Sequence, residues 1–101
     1  MPRFTDTFLA RLRAEADIVA IIGRHVQLKK AGADFSGLCP FHNEKSPSFT
    51  VSPRKHLFHC FGCEKGGDAV TFLRDFKGIP FRDAVLEVAG LLGVSPEYEA
   101  E

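Results

Sequence analysis

The sequence predicts an α+β fold, a small antiparallel β-sheet carrying a metal at one end and flanked by N- and C-terminal helices. Three observations lead there. All three cysteines and three of the four histidines lie between Cys39 and Cys63. Within that stretch, Cys39-Pro40-Phe41-His42 and Cys60-Phe61-Gly62-Cys63 set two ligand pairs at x-x spacing around a segment able to fold as a hairpin. Alternating apolar residues occupy the middle of the chain, and helical periodicity occupies both ends.

The ligand pattern is that of a structural zinc site. Two intervening residues let both side chains of a tight turn point at one ion, and Pro40 and Gly62 suit the sharp backbone of such turns. Three thiolates and one imidazole complete a closed four-ligand shell of the kind Zn²⁺ favours. No position remains for water, so Lewis-acid catalysis by the metal is not expected. Three cysteines cannot all pair as disulfides, which argues against a secreted disulfide scaffold. A redox dithiol at Cys60 and Cys63 is the competing reading, and it leaves Cys39 and His42 without a role.

Taken in order, Phe4, Phe8, Leu9 and Leu12 recur at helical spacing, with Thr5 or Asp6 as the cap. Asp17 caps a second short helix, Ile18 to Ile22, ending near Gly23. Val26 to Lys29 alternates as a half-buried strand, Lys30 to Ala33 turns, and Asp34 to Leu38 returns to deliver Cys39. Ser48 to Val51 forms a third strand between Pro47 and Pro53, Ser52 to Lys55 turns, and His56 to Phe61 forms the fourth. Gly66-Gly67 breaks the pattern and Asp68 caps a helix bearing Val70, Phe72, Leu73 and Phe76, stopped at Gly78. Pro80 opens the last helix, with Val85, Leu86, Val88, Ala89 and Leu92 as its apolar face and Gly93 as its end. The domain is therefore expected to span residues 1–93, with the acidic residues 94–101 as the start of a linker to a further domain.

At 101 residues the chain is one domain, too small to bury a large core, so a bound metal would supply much of its stability. Arg3, Asp6, Arg11 and Arg13 interrupt any signal-peptide pattern, no apolar run is long enough for a membrane span, and unpaired thiols point to the cytoplasm. The net charge of zero conceals an asymmetry. From Arg24 to Lys65 there are seven basic and three acidic residues, whereas from Gly66 to Glu101 there are three basic and seven acidic. The metal-binding middle is basic, which permits nucleic-acid binding that the whole-chain charge would argue against.

Gly37 to Phe49, then Phe58-His59-Cys60-Phe61-Gly62-Cys63 and Gly66-Gly67-Asp68, resemble the N-terminal zinc-binding domain of bacterial DNA primase of the DnaG type. The similarity extends upstream through Asp17-Ile18-Val19 and Val26 to Gly32, and covers nearly everything from Phe4 to Gly93. Related phage primase-helicases typically place cysteine where His42 stands, and they rank second. The resemblance implies a zinc-ribbon sheet flanked by helices, one structural Zn²⁺, and a role in binding single-stranded template DNA and choosing where RNA primers start. It also implies a separate polymerising domain, which would hold Mg²⁺, and a further region that contacts the replicative helicase, both outside this chain. In agreement, no Asp-x-Asp pair occurs here, and the chain alone is expected to be inactive in primer synthesis.

Single strands are held by cations on phosphates and aromatic faces under bases. Lys29, Lys30, Lys45, Arg54, Lys55 and His56 are expected on turns or outward strand positions, and Phe35 and Phe61 are the stacking candidates. Phe49 and Phe58 fall to the core by strand alternation, His59 breaks the ligand spacing, and His25 reads as an ordinary surface or packing residue. The alternative to DNA reading is a protein-interaction module docking on the primase catalytic domain of its own or a neighbouring chain.

Overall fold

The computed structural model describes residues 3–43 and 45–100; Glu44 of the motif and Glu101 of the expected linker lie outside them. Helix α1 (Asp6–Glu15) is capped by Thr5, whose hydroxyl accepts from the Phe8 N–H at 3.1 Å. Helix α2 (Ile18–Gly23) is capped by Asp17, which accepts from the Ala20 N–H at 3.1 Å. Strands β1 (Lys29–Ala31), β2 (Asp34–Gly37), β3 (Phe49–Ser52), β4 (Leu57–Cys60) and β5 (Gly66–Gly67) then pair in chain order as one antiparallel meander. Helices α3 (Ala69–Lys77) and α4 (Phe81–Leu92) complete the fold.

The sheet departs from the sequence expectation in four places. Strand β1 starts at Lys29, where Val26 to Lys29 was expected. Val26 is buried and Leu28 half-buried, so burial of these two produced the alternation without a ladder. The β1–β2 turn contracts to Gly32-Ala33, with Gly32 at φ +65°, since Ala31 already pairs with Asp34. A two-residue hairpin loop needs such a left-handed position. His56 sits in the β3–β4 turn at φ 57° rather than opening β4, and the fifth strand, two glycines, carries no side-chain pattern to announce it.

Register fixes which side chains share a face. Phe35, Val51 and Phe58 lie in one cross-strand row, and Ser36, Thr50, His59 and Gly66 in the next. Because side chains alternate along a strand, these rows face opposite ways. The first face, with Phe49, Val51, Phe58 and Cys60 all buried, packs against the helices. Phe72 of α3 is the hub, with its ring centroid 5.6 Å from Phe58 and 6.2 Å from Phe49. Around it α1 buries Phe8 and Leu12, α2 buries Ile18 and Ile22, and α4 buries Ala84, Val85 and Val88. Among the described residues, no helix lies over the second face of the sheet.

The C-terminal segment returns to the start of the chain. The Thr5 N–H donates to the Glu97 carbonyl at 3.0 Å, the Glu99 N–H donates to the Arg3 carbonyl at 2.7 Å, and Phe4 and Tyr98 form a β-bridge. Their rings stack at 5.1 Å, with the Arg82 guanidinium 5.9 Å from the Phe4 ring and 5.6 Å from the Tyr98 ring.

Candidate metal centre and the open sheet face

Strand β2 ends just before Cys39, and Cys60 is the last residue of β4, so the sheet itself delivers one cysteine of each ligand pair. Each pair closes as a tight knuckle in which a backbone N–H donates to the first sulfur. Phe41 donates to Cys39 Sγ and Gly62 donates to Cys60 Sγ, both at 3.4 Å. One ligand atom from each of Cys39, His42, Cys60 and Cys63 lies within 4.8 Å of the others, a group that could hold a metal ion.

The donor set fits zinc. A tetrahedral ion with Zn–S bonds of about 2.3 Å requires S–S edges of about 3.8 Å, and the Cys39 and Cys63 sulfurs are 3.7 Å apart. His42 Nδ1 lies 4.0 Å from Cys60 Sγ. Without an ion the thiols are unequal. Burial pushes the Cys39 thiol up to about 12. Burial also opposes ionisation of Cys60, but the Ser48 hydroxyl and the backbone N–H groups of Cys63 and Gly62 outweigh it and bring that thiol down to about 7.

The centre is tied to the core and to the sheet. Between Cys39 and His42, Phe41 packs 6.1 Å from Phe58 and 5.8 Å from Phe72, with Lys65 Nζ 5.3 Å from its ring. A Cβ on Gly62 would stand 2.9 Å from His42 Nε2 and 3.0 Å from Ser48 Oγ, so glycine is needed there for close approach.

The DNA-contact residues expected from sequence are dispersed. Lys29 and Lys30 are exposed on the edge strand β1, Lys45 on the loop between the ligand pairs, and Arg54 and Lys55 on the β3–β4 turn. Half-buried His56 occupies the same turn. Phe35 lies in the helix-facing row, with Lys30 Nζ 5.0 Å from its ring. Phe61 is 67% exposed, its ring edge-to-face with His59 at 4.6 Å. Over the open face runs a groove of about 650 Å³ lined by Thr50, Ser52, Arg54, Lys55, His59 and Phe61 among others. In the sequence Thr50 is not singled out and His59 is considered only to be excluded as a ligand; strand alternation places both opposite the buried Phe49, Val51 and Phe58.

The sheet, its helical cover and the Cys₃His cluster define a small zinc-binding domain of the α+β class. The chain belongs to the CHC2 zinc finger family, whose model matches residues 4–101. It is 50% identical over 99 residues to a DNA primase of Listeria innocua, covering 98% of this chain and 16% of the relative. It is 52% identical over 92 residues to a DNA primase of Geobacillus stearothermophilus, covering 91% of this chain and 15% of that one. Among solved structures, it matches the zinc-binding and RNA polymerase domains of the Aquifex aeolicus primase with a TM-score of 0.80 at 39% identity, over 93% of this chain and 22% of the other. The chain therefore spans about one-sixth of the length of the curated relatives it matches. No helix among the described residues is long and apolar enough to cross a membrane.

Proposed function

We propose that this domain holds one structural Zn²⁺ through Cys39, His42, Cys60 and Cys63, binds single-stranded template DNA on the open face of its sheet, and helps a DNA primase select where RNA primers begin. The groove over that face carries the reading. Arg54 and Lys55 at the hairpin turn supply cations for phosphates, Phe61 supplies an exposed aromatic face, and Thr50 and Ser52 supply hydroxyls along the floor. Cations, aromatic faces and an absence of covering structure are what a single-strand surface requires. Lys29 on the same face and Lys30 and Lys45 beside it extend the positive rim. Phe35, under Lys30, supports the sheet from its core side.

In this reading polymerisation, with its Mg²⁺, belongs to another domain of the cytoplasmic parent protein, which acts in cis or in trans. The replicative helicase would meet regions outside this chain. The metal contributes stability and shape: it cross-links the ends of β2 and β4, which fixes the strand bearing His59 and the knuckle bearing Phe61.

A second reading, docking on the polymerase domain, is favoured by another groove of about 550 Å³. There the exposed Leu38, with Pro40 and Pro47, lies between Lys29 and Lys45. One titration separates the two. Zinc-loaded domain binding single-stranded DNA by itself, weakened by salt and by Lys55→Ala, supports DNA reading. Binding that arises only when the catalytic domain is added supports docking.

A further inference from the structure

We propose that His59 is a base-selecting residue of the domain, that Glu64 is its positioning residue, and that the hydroxyl of Thr50 completes a two-point contact with one template base. This deepens, and rests on, the reading of the open sheet face as a single-strand surface.

His59 is adjacent to the ligand Cys60 but turns the other way, outward beside the groove, with its side chain 40% exposed. Two neighbours hold it. Phe61 meets its ring edge-to-face at 4.6 Å, and Glu64 Oε2 lies 3.2 Å from Nε2. A carboxylate can only accept, so Nε2–H is the donor of this contact and Nδ1 is the ring nitrogen left for another partner. Among the described residues Nδ1 has no hydrogen-bond partner, and it is not one of the atoms sealed from solvent.

Glu64 is itself unusual. It stands at φ 66°, a left-handed conformation that glycine adopts far more readily. The turn after Cys63 imposes that conformation, with the Glu64 N–H donating to the Cys60 carbonyl at 2.8 Å. A glycine would fit the backbone, yet the residue there sends a carboxylate back to His59. Both strand neighbours of His59 leave the ring accessible. Thr50 is its direct cross-strand partner on β3, so a hydroxyl-bearing side chain lies beside the imidazole. Gly66 is the partner on β5, where even a Cβ would come within 3.3 Å of His59 Cδ2.

The result is a ring nitrogen held in one orientation, a hydroxyl able to donate or accept, and an exposed ring for stacking. That set matches the donor and acceptor edge of a nucleobase stacked on Phe61. Phosphate contacts position a strand, whereas edge contacts of this kind distinguish bases.

The test uses the zinc-loaded chain and four single-stranded oligodeoxynucleotides identical except for one base flanked by abasic sugars, titrated by NMR. The wild type is expected to bind them with affinities spread by about tenfold, the scale of one two-point base contact. His59→Phe, which retains an aromatic face, should bind all four within about twofold of one another, with the loss falling on the base the wild type favours. Thr50→Val should narrow the spread in part. Glu64→Ala should also narrow it, and the ¹⁵N shift of His59 Nε2 should change as its hydrogen bond to Glu64 is lost; Glu64→Asp should restore both. Unchanged zinc content verifies that each variant is folded. Equal wild-type affinity for all four, or a spread that survives His59→Phe, overturns the assignment while leaving the single-strand reading in place. Absence of binding to every oligonucleotide overturns both.

Discussion

Cys60 is completely buried, and Phe61, the next residue, is 67% exposed. The two are held in these opposed environments by one turn. The Cys60 N–H donates to the Lys65 carbonyl at 2.8 Å, and the Phe61 N–H donates to the Ser48 carbonyl at 2.9 Å. Whatever anchors the sulfur therefore also aims the aromatic ring, and the metal centre and open face are mechanically one unit.

Chelation of the metal should collapse both. We expect one zinc per chain, loss of the β-sheet circular dichroism signal on chelation, and simultaneous loss of single-strand binding. The free energy at stake is large, since small zinc modules bind their ion with apparent values of about 10–16 kcal/mol. A native-like spectrum after verified zinc removal would contradict this.

Gly62→Ala should weaken zinc binding by about tenfold to a hundredfold, the usual scale for disturbing groups just outside the ligand shell. Its added methyl would have to displace His42 or Ser48, and either movement degrades the site. Competition with a chromophoric chelator measures the change. Gly23→Ala, where a Cβ meets nothing within 4 Å, is the matched control and should leave affinity unaltered.

Asp68 caps α3 by accepting from the Thr71 N–H at 2.9 Å, and it also meets Arg13 at 3.1 Å. Burial opposes ionisation, but the Thr71 and Arg13 contacts outweigh it and hold the carboxyl below its ordinary range. A depressed native pKa adds stability that is complete above the unfolded value of about 3.9 and is lost as pH falls toward the native value. Asp68→Ala should cost about 1–2 kcal/mol at neutral pH by denaturant titration, mostly from the cap, because Arg13 is well exposed. The difference should shrink as the solution is acidified below about pH 4.

Phe61→Ala should leave stability within about 0.5 kcal/mol of the parent, as for most exposed positions. Single-strand binding should weaken by about 1–3 kcal/mol, the value of one base stacked on an aromatic ring. Phe58→Ala, at a fully buried position only three residues earlier, should reverse the pattern and destabilise the fold by about 3–5 kcal/mol.

The helices were legible because their signals are local. Asp17 and Asp68 cap the helices they were expected to cap, Thr5 rather than Asp6 caps the first, and Gly78 and Gly93 end the last two. Cys39, His42, Cys60 and Cys63 were legible for a different reason: x-x spacing restricts a knuckle to one geometry whatever surrounds it. Strand edges were less so. Val26 and Leu28 alternate because both are partly or wholly buried, and sequence does not reveal whether a buried extended residue has a ladder partner. Gly66-Gly67 has no side chain with which to signal a strand. The open face was hardest to read, because Thr50 and His59 acquire their relationship only through register between β3 and β4. Glu64 acquires its own through a backbone angle that its residue type would not suggest.

The bridge between Phe4 and Tyr98 has a topological consequence. Ladder-paired backbones lie about 5 Å apart, so the segment from Phe4 to Tyr98 is nearly a closed loop, and a few glycines would suffice to join those two positions. A circular permutant joined there and opened between Gly32 and Ala33 would keep the metal ligands and every sheet neighbour, and would lose only the tightest hairpin. Zinc uptake by such a permutant would show that the order in which the elements are synthesised is incidental to how they assemble.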